Sequence, residues 1–136
     1  MVEAEVRWLD GERFAADSRG HALVVDSDRE RNTAPGPMDL VLVGLCACTA
    51  TDVVSILTKK RVAFTGLKVR AEAERAAEPP KVYTKIKVIY TVSGDVPKKA
   101  MEDAVRLSES KYCSVSQMVQ KTAQITSVIE YADGNP

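Results

Sequence analysis

Two of the three cysteines, Cys46 and Cys48, lie in the apolar segment GLCACTATDVV, and Asp52 follows Cys48 one helical turn later. The third, Cys113, stands far along the chain, directly before Ser114. Cysteine thiolates are nucleophiles and metal ligands, whereas a protonated buried cysteine packs as a small apolar residue. The surroundings of these thiols therefore decide between packing, metal binding and redox chemistry.

The cysteines do not follow the spacing of a structural zinc site or of a disulfide framework. Structural zinc sites take their ligands in two close pairs, but only Cys46 and Cys48 are close in sequence, and His21 is the single histidine. We therefore predict no metal and no other cofactor. The thiols are then either inert core residues or redox-active groups.

Residues 38–60 predict one long helix, with Pro37 at its first position. Its apolar residues fall on nearly all sides, which is typical of a buried central helix. The positions after Cys48 that share a helix face with it are all polar: Thr51, Asp52, Ser55 and Lys59. Cys48 thus lies on a polar seam, whereas Cys46 is turned by about 200° from it and is predicted to pack in the core.

The polar seam has two interpretations. Serine and threonine in helices often bond the preceding turn of backbone, which would make the seam structural only. Asp52 favours function, because a buried carboxylate needs a partner. Its charge also disfavours ionisation of Cys48, so an activated Cys48 needs a cation from elsewhere.

Cys113 precedes a capping box, SVSQ, that predicts a short helix with Ser114 as its N-cap. Backbone amides and the helix dipole favour a thiolate at such a position, and Lys111 adds a nearby positive charge. On local sequence alone, Cys113 is expected to be the more acidic thiol.

The remaining elements predict a single α+β domain over residues 1–136, in the order β-β-β-α-β-β-α-α-β. Alternation with a period of two predicts the strands, the fourth and fifth of which form a long antiparallel hairpin. The predicted strands cover 2–8, 13–16, 22–25, 67–73, 82–92 and 125–131. A second helix is predicted from Pro97 to about Tyr112, before the short helix at Ser114.

Composition sets limits on partners and location. Nineteen basic and nineteen acidic residues cancel, so overall charge gives no reason to bind nucleic acid or an anionic membrane. The N-terminus lacks the apolar core of a signal peptide. The longest run without a polar residue, 40–48, is shorter than the roughly 20 residues that span a bilayer. We therefore expect a cytoplasmic protein that binds neither nucleic acid nor membrane.

The segments PMDLVLVGLCACTATDVVSIL and ESKYCSVSQMVQK resemble the OsmC/Ohr superfamily, small bacterial proteins linked to osmotic and organic-hydroperoxide stress. The segments SRGHALVVDS and EPPKVYTKIKV extend the resemblance over essentially the whole chain, and it is closest to the YhfA-like branch. The resemblance implies an intertwined homodimer, with antiparallel sheets wrapping two central helices and active sites at the subunit interface.

The resemblance also implies roles for two thiols. Cys48 corresponds to the thiolate that attacks a hydroperoxide and becomes a sulfenic acid. Cys113 corresponds to the resolving cysteine, which forms a disulfide with it that an external dithiol then reduces. Cys46 has no counterpart in this pattern. The implied function is a thiol-dependent hydroperoxide reductase, a peroxidase active in oxidative or osmotic stress.

The chain departs from that pattern at one position. Peroxidase members carry a glutamate ten residues before the attacking cysteine, which orients an arginine over the thiolate, and here that position is Met38. Asp39 is adjacent but turned by about 100°. We therefore expect weak peroxidase activity. The alternative is a non-catalytic protein of the same fold that binds a small apolar molecule. Met38 is equally compatible with this alternative.

The arginine that would activate Cys48 is not fixed by its position in the sequence. Arg19, in the segment SRGH, is the leading candidate, and Arg29 and Arg31 are its rivals. Asp52 could hold such an arginine in place of the missing glutamate. His21 is predicted to be structural.

Overall fold

The structure, a computed structural model, describes residues 1–132. Two compact units are present, Met1–Val43 and the residues from Gly44 onward. The predicted order of strands and helices is confirmed throughout. That the whole chain acts as a single domain stays a prediction.

The first unit contains a three-stranded antiparallel sheet of order β1-β2-β3. Its strands are β1 (Glu5–Asp10), β2 (Arg13–Ser18) and β3 (His21–Asp26). Gly11 and Gly20 occupy the two hairpin turns with φ of +49° and +80°, a backbone region in which glycine has no steric penalty. The alternation of apolar and polar residues in β1 is typical of a half-buried strand, but all six of its residues are exposed. A sheet buries a face only where a second layer covers it.

Helix α1 spans Pro37–Lys59, within one residue of its predicted end. The Asp39 carboxylate accepts a hydrogen bond from the Gly36 N–H at 2.9 Å, which satisfies a free donor at the helix start. Buried side chains recur at every fourth position: Leu45, Thr49, Val53 and Leu57. Other apolar residues of α1 are exposed to solvent, among them Val43, which is 56% exposed. The expectation of a helix buried on all sides is therefore not met within one chain.

By length and composition alone, α1 could cross a membrane, and it is the single helix of residues 1–132 that meets this criterion. The longest run without a polar residue, 40–48, is shorter than α1, because polar residues from Thr49 onward interrupt the run without ending the helix. Core helices meet the same criterion. Leu45, Val53 and Leu57 are completely buried, but only 22% of the apolar window of α1 is buried within one chain.

The second unit contains a three-stranded sheet of order β4-β5-β6. The strands are β4 (Phe64–Arg75), β5 (Tyr83–Gly94) and β6 (Gln124–Tyr131). β5 is central and carries much of the core, and β4 pairs with it in the predicted antiparallel hairpin. One detail differs from the expectation of antiparallel sheets, because β6 runs parallel to β5. Parallel neighbours need a long crossover, and residues 95–123 supply it.

The crossover consists of α2 (Lys98–Leu107), a π-helical segment (Ser108–Tyr112) and α3 (Ser114–Val119). Helix α2 therefore ends earlier than predicted, and the chain continues with wider i→i+5 turns. The N-cap of α3 is Cys113, not Ser114. The π-helical segment thus delivers a cysteine to the start of a helix.

Candidate functional site

The polar seam of α1 and the start of α3 meet at two thiols and a carboxylate. The Sγ atoms of Cys48 and Cys113 and a carboxylate oxygen of Asp52 all lie within 4.8 Å of one another. Both cysteines are free thiols. The predicted proximity of Cys48 and Cys113 is confirmed, whereas their catalytic roles stay predictions. We call these three residues the thiol cluster.

The two thiols of the cluster differ in access. Cys113 is completely buried, whereas Cys48 is half-buried. A Cβ added at Gly44, one turn before Cys48 on α1, would meet no atom within 4 Å beyond its chain neighbours and the adjacent helix backbone. This agrees with the expectation that Gly44 leaves open space on the Cys48 side of the helix. Cys48 is therefore the more accessible of the two thiols.

The expectation that Cys113 is the more acidic thiol is wrong. Its Sγ does accept the Ser116 N–H at 3.2 Å, as an N-cap does. Burial, however, raises the pKa of Cys113 to about 12, and the hydrogen bond with Cys48 and the charge of Asp52 add to the rise. Local sequence predicts the amide that favours the thiolate but not the burial that outweighs it. Cys113 is thus a protonated thiol at neutral pH.

Asp52 has a hydroxyl partner. The Ser108 Oγ donates a hydrogen bond to Asp52 Oδ2 at 2.8 Å, and Ser108 is completely buried. The Ser108 carbonyl accepts the Cys113 N–H at 2.7 Å, so this serine contacts two members of the thiol cluster. Sequence analysis missed it, although a signal existed. Ser108 continues the apolar stripe of α2 at helical spacing, and a buried hydroxyl group normally has a hydrogen-bond partner.

Glu109 fixes the π-helical segment from two sides. Its carboxylate accepts hydrogen bonds from Tyr90 Oη at 2.7 Å and from Ser127 Oγ at 2.8 Å, which ties it to β5 and β6. Its carbonyl accepts hydrogen bonds from the side chains of Gln117, at 3.0 Å, and Ser116. Burial, together with Glu109, raises the pKa of Tyr90 far above its usual range, so Tyr90 stays a neutral donor. Sequence analysis did not identify this network.

A cleft of about 460 Å³ lies beside the Glu109 network, between α2, α3 and β6. Ser116 and Glu109 contribute to its wall, together with apolar residues such as Ile125 and Ile129. Neither thiol lines it. The cleft is therefore not the space next to Cys48.

Cys46 does not belong to the thiol cluster. It is half-buried, and burial raises the pKa of its thiol. Its carbonyl accepts a hydrogen bond from Thr49 Oγ1 at 3.2 Å. On the polar seam itself, Thr51 Oγ1 donates to the Ala47 carbonyl at 2.8 Å, which is the backbone bond that the structural interpretation of the seam expected. This placement fits the predicted packing role.

The predicted cation sites and Met38 belong to the first unit. Arg19 is exposed in the β2–β3 turn with φ of +54°, and Arg29 is exposed in the following loop. Arg31 is also exposed and pairs with Asp10 at 2.7 Å. Met38 is half-buried in the first turn of α1.

No lysine or arginine forms a hydrogen bond or an ion pair with the thiol cluster within residues 44–132. In these residues Asp52 accepts a hydrogen bond from Ser108, and Cys113 is hydrogen-bonded to Ser116 and Cys48. An activating cation thus stays a prediction from the sequence.

Comparison with known proteins identifies relatives over almost the full chain. Residues 30–128 match the family model described as OsmC-like protein. Protein YhfA of Escherichia coli (strain K12) is 39% identical over 127 residues, which cover 92% of this chain and 94% of that protein.

Solved structures share the fold. A hypothetical protein from Aquifex aeolicus VF5 has a TM-score of 0.91 at 30% identity, over 99% of this chain and 98% of that chain. A Legionella pneumophila protein described as an organic hydroperoxide resistance protein OsmC has a TM-score of 0.72 at 16% identity, over 96% of both chains. At that identity the likeness concerns the fold alone.

Proposed function

Because this chain belongs to the OsmC-like protein family, as its sequence predicted, we propose that it is a thiol-dependent peroxidase that reduces organic hydroperoxides. The observation that carries the proposal is the approach of two free thiols, from separate helices, to within 4.8 Å of each other and of a carboxylate. The description of the Legionella relative as an organic hydroperoxide resistance protein supports this substrate class.

In the first step, the Cys48 thiolate attacks the terminal oxygen of the hydroperoxide. The O–O bond breaks, Cys48 becomes a sulfenic acid, and the alkoxide takes up a proton and leaves as an alcohol. Cys48 suits this role because it is half-buried beside the space at Gly44. Cys113 does not, because a completely buried thiol with a pKa of about 12 is neither reachable nor ionised.

In the second step, Cys113 attacks the sulfur of the Cys48 sulfenic acid. A disulfide forms, and the hydroxyl group leaves as water with the proton that Cys113 gives up. The Asp52 carboxylate, within 4.8 Å of the Cys113 Sγ, is suited to accept that proton first. Its hydrogen bond from Ser108 keeps the carboxylate in place. An external dithiol then supplies two electrons and restores both thiols.

The proposed enzyme is a cytoplasmic homodimer, since a reducing compartment keeps the thiols available between turnovers. Exposed apolar surface on one chain supports a second copy as partner. Trp8 in β1 is 66% exposed, Leu23 in β3 is 50% exposed and Val43 in α1 is 56% exposed. Large exposed apolar side chains mark protein–protein interaction sites where they form a continuous patch.

The proposal is tested by following hydroperoxide consumption in the presence of a small dithiol. We expect slow but measurable consumption of cumene hydroperoxide by the wild type, none by Cys48→Ser, and a wild-type rate for Cys46→Ser. The last variant is the matched control, because it removes a half-buried thiol from the same helix outside the cluster. A wild-type rate no higher than that of Cys48→Ser would contradict the proposal and favour a non-catalytic protein that binds an apolar molecule.

A further inference from the structure

The thiol cluster also has the composition of a metal site. Two thiolates and one carboxylate form a ligand set that suits Zn²⁺ and similar divalent ions. The sequence-based prediction of no metal considered only cysteines and His21 as ligands. It did not count Asp52, which shares a face of α1 with Cys48 and meets Cys113 through the fold.

The geometry of the cluster lies close to that of a bound ion. With Zn–S near 2.3 Å and Zn–O near 2.0–2.2 Å, tetrahedral ligands stand about 3.5–3.8 Å apart. The three ligand atoms here lie within 4.8 Å of one another. Each pair must therefore close by at most about 1.3 Å, a change within reach of side-chain rotation. The fourth position would be left to water.

Neighbouring groups already hold two of the ligands in orientations that suit a metal. Ser108 Oγ donates to Asp52 Oδ2 at 2.8 Å, which leaves Oδ1 available to an ion. The Ser116 N–H donates to the Cys113 Sγ at 3.2 Å, and a thiolate at this sulfur accepts that hydrogen bond more strongly than a thiol does. Hydrogen bonds of this kind, from groups behind the ligands, orient them and tune their affinity.

We infer that the reduced protein binds one Zn²⁺-type ion per chain through Cys48, Asp52 and Cys113. This site goes beyond the proposed peroxidase function and needs no hydroperoxide. Metal binding and the proposed disulfide exclude each other, since each uses both sulfurs. The bound ion therefore protects the thiols from oxidation and inhibits peroxide reduction, and formation of the disulfide releases the ion.

The inference is tested with reduced, chelator-treated full-length protein that is titrated with Co²⁺ as a spectroscopic probe and then with Zn²⁺. We expect one Co²⁺ per chain, a thiolate-to-cobalt charge-transfer band and its loss when Zn²⁺ displaces the probe. Cys46→Ser keeps this behaviour as the matched control. Cys48→Ser and Cys113→Ala lose the band. Asp52→Asn, which keeps the size of the side chain, weakens binding by at least about tenfold, and Ser108→Ala by about tenfold to a hundredfold.

Several results would overturn the inference: no thiolate band, equal affinity in wild type and Cys48→Ser, or loss of binding in Cys46→Ser. Far-ultraviolet circular dichroism on each variant checks that the fold is retained, and Cys113→Ser replaces Cys113→Ala if the latter unfolds. The titration contains no hydroperoxide, so its failure leaves the peroxidase proposal standing. Conversely, a protein that binds the metal but does not consume hydroperoxide would refute only the peroxidase proposal.

Discussion

Removal of the Ser108 hydroxyl is expected to destabilise the protein through Asp52. The Ser108→Ala substitution deletes a completely buried donor that lies 2.8 Å from Asp52 Oδ2. A hydrogen bond to a charged group contributes roughly 1.5–3 kcal/mol to stability. Alanine fits a helical backbone and leaves only a small cavity, so this hydrogen bond dominates. We expect the free energy of unfolding at neutral pH to fall by about 1.5–3 kcal/mol.

Urea denaturation measures this change as a lower midpoint with an unchanged slope. Ser110→Ala is the matched control, because Ser110 is exposed and its hydroxyl bonds only the Arg106 carbonyl at 2.7 Å. Its effect should stay within about 0.5 kcal/mol. In an Asp52→Asn background, Ser108→Ala should cost only about 0.5–1.5 kcal/mol, the value of a neutral hydrogen bond. Equal losses for Ser108→Ala and Ser110→Ala, or the same loss with and without Asp52, would refute the reasoning.

Three further predictions concern other residues of the site. Because burial raises the pKa of Tyr90, the tyrosine of the unfolded chain ionises first as the pH rises. The contribution of Tyr90 to the free energy of unfolding is therefore complete below pH of about 10 and falls above it. Tyr90→Phe should flatten this decline in urea denaturation, and an unchanged decline would count against the role of Tyr90. In Cys113→Ser, the first oxidation of Cys48 should proceed but end in sulfinic acid by intact mass, and a stable sulfenic acid would argue against a resolving role. Met38→Glu should raise the rate with cumene hydroperoxide at least severalfold, and a lower rate would show that the missing glutamate does not limit activity.

The elements of the fold were predictable because each depends on a local pattern. Alternation with a period of two predicts the strands, and the apolar segment around Cys48 predicts α1. The position of Cys48 on a polar seam with Asp52 also follows from helical spacing alone. Burial did not follow in the same way. β1 alternates as a half-buried strand does but is exposed along its whole length.

The partners that complete the site were not predictable from local patterns. The π-helical segment changes the register after Ser108, so the helical spacing that predicts α2, and that still reaches Ser108, no longer tells which side chains face the core from Glu109 onward. The acidity of Cys113 was misjudged because the N-cap amide is a local feature, whereas burial depends on the whole fold. The approach of Cys113 to Cys48 came from family resemblance, since nothing local joins residues so far apart in sequence.

The central claim is that Cys48 and Cys113 act as one redox pair. Its most direct test is to treat the fully reduced protein with less than one equivalent of cumene hydroperoxide, block the remaining thiols and map the peptides by mass spectrometry. We predict a disulfide between Cys48 and Cys113, formed in proportion to the hydroperoxide added, with Cys46 recovered as a blocked thiol. Oxidation that falls on Cys46, or hydroperoxide that leaves all three thiols intact, would contradict the account.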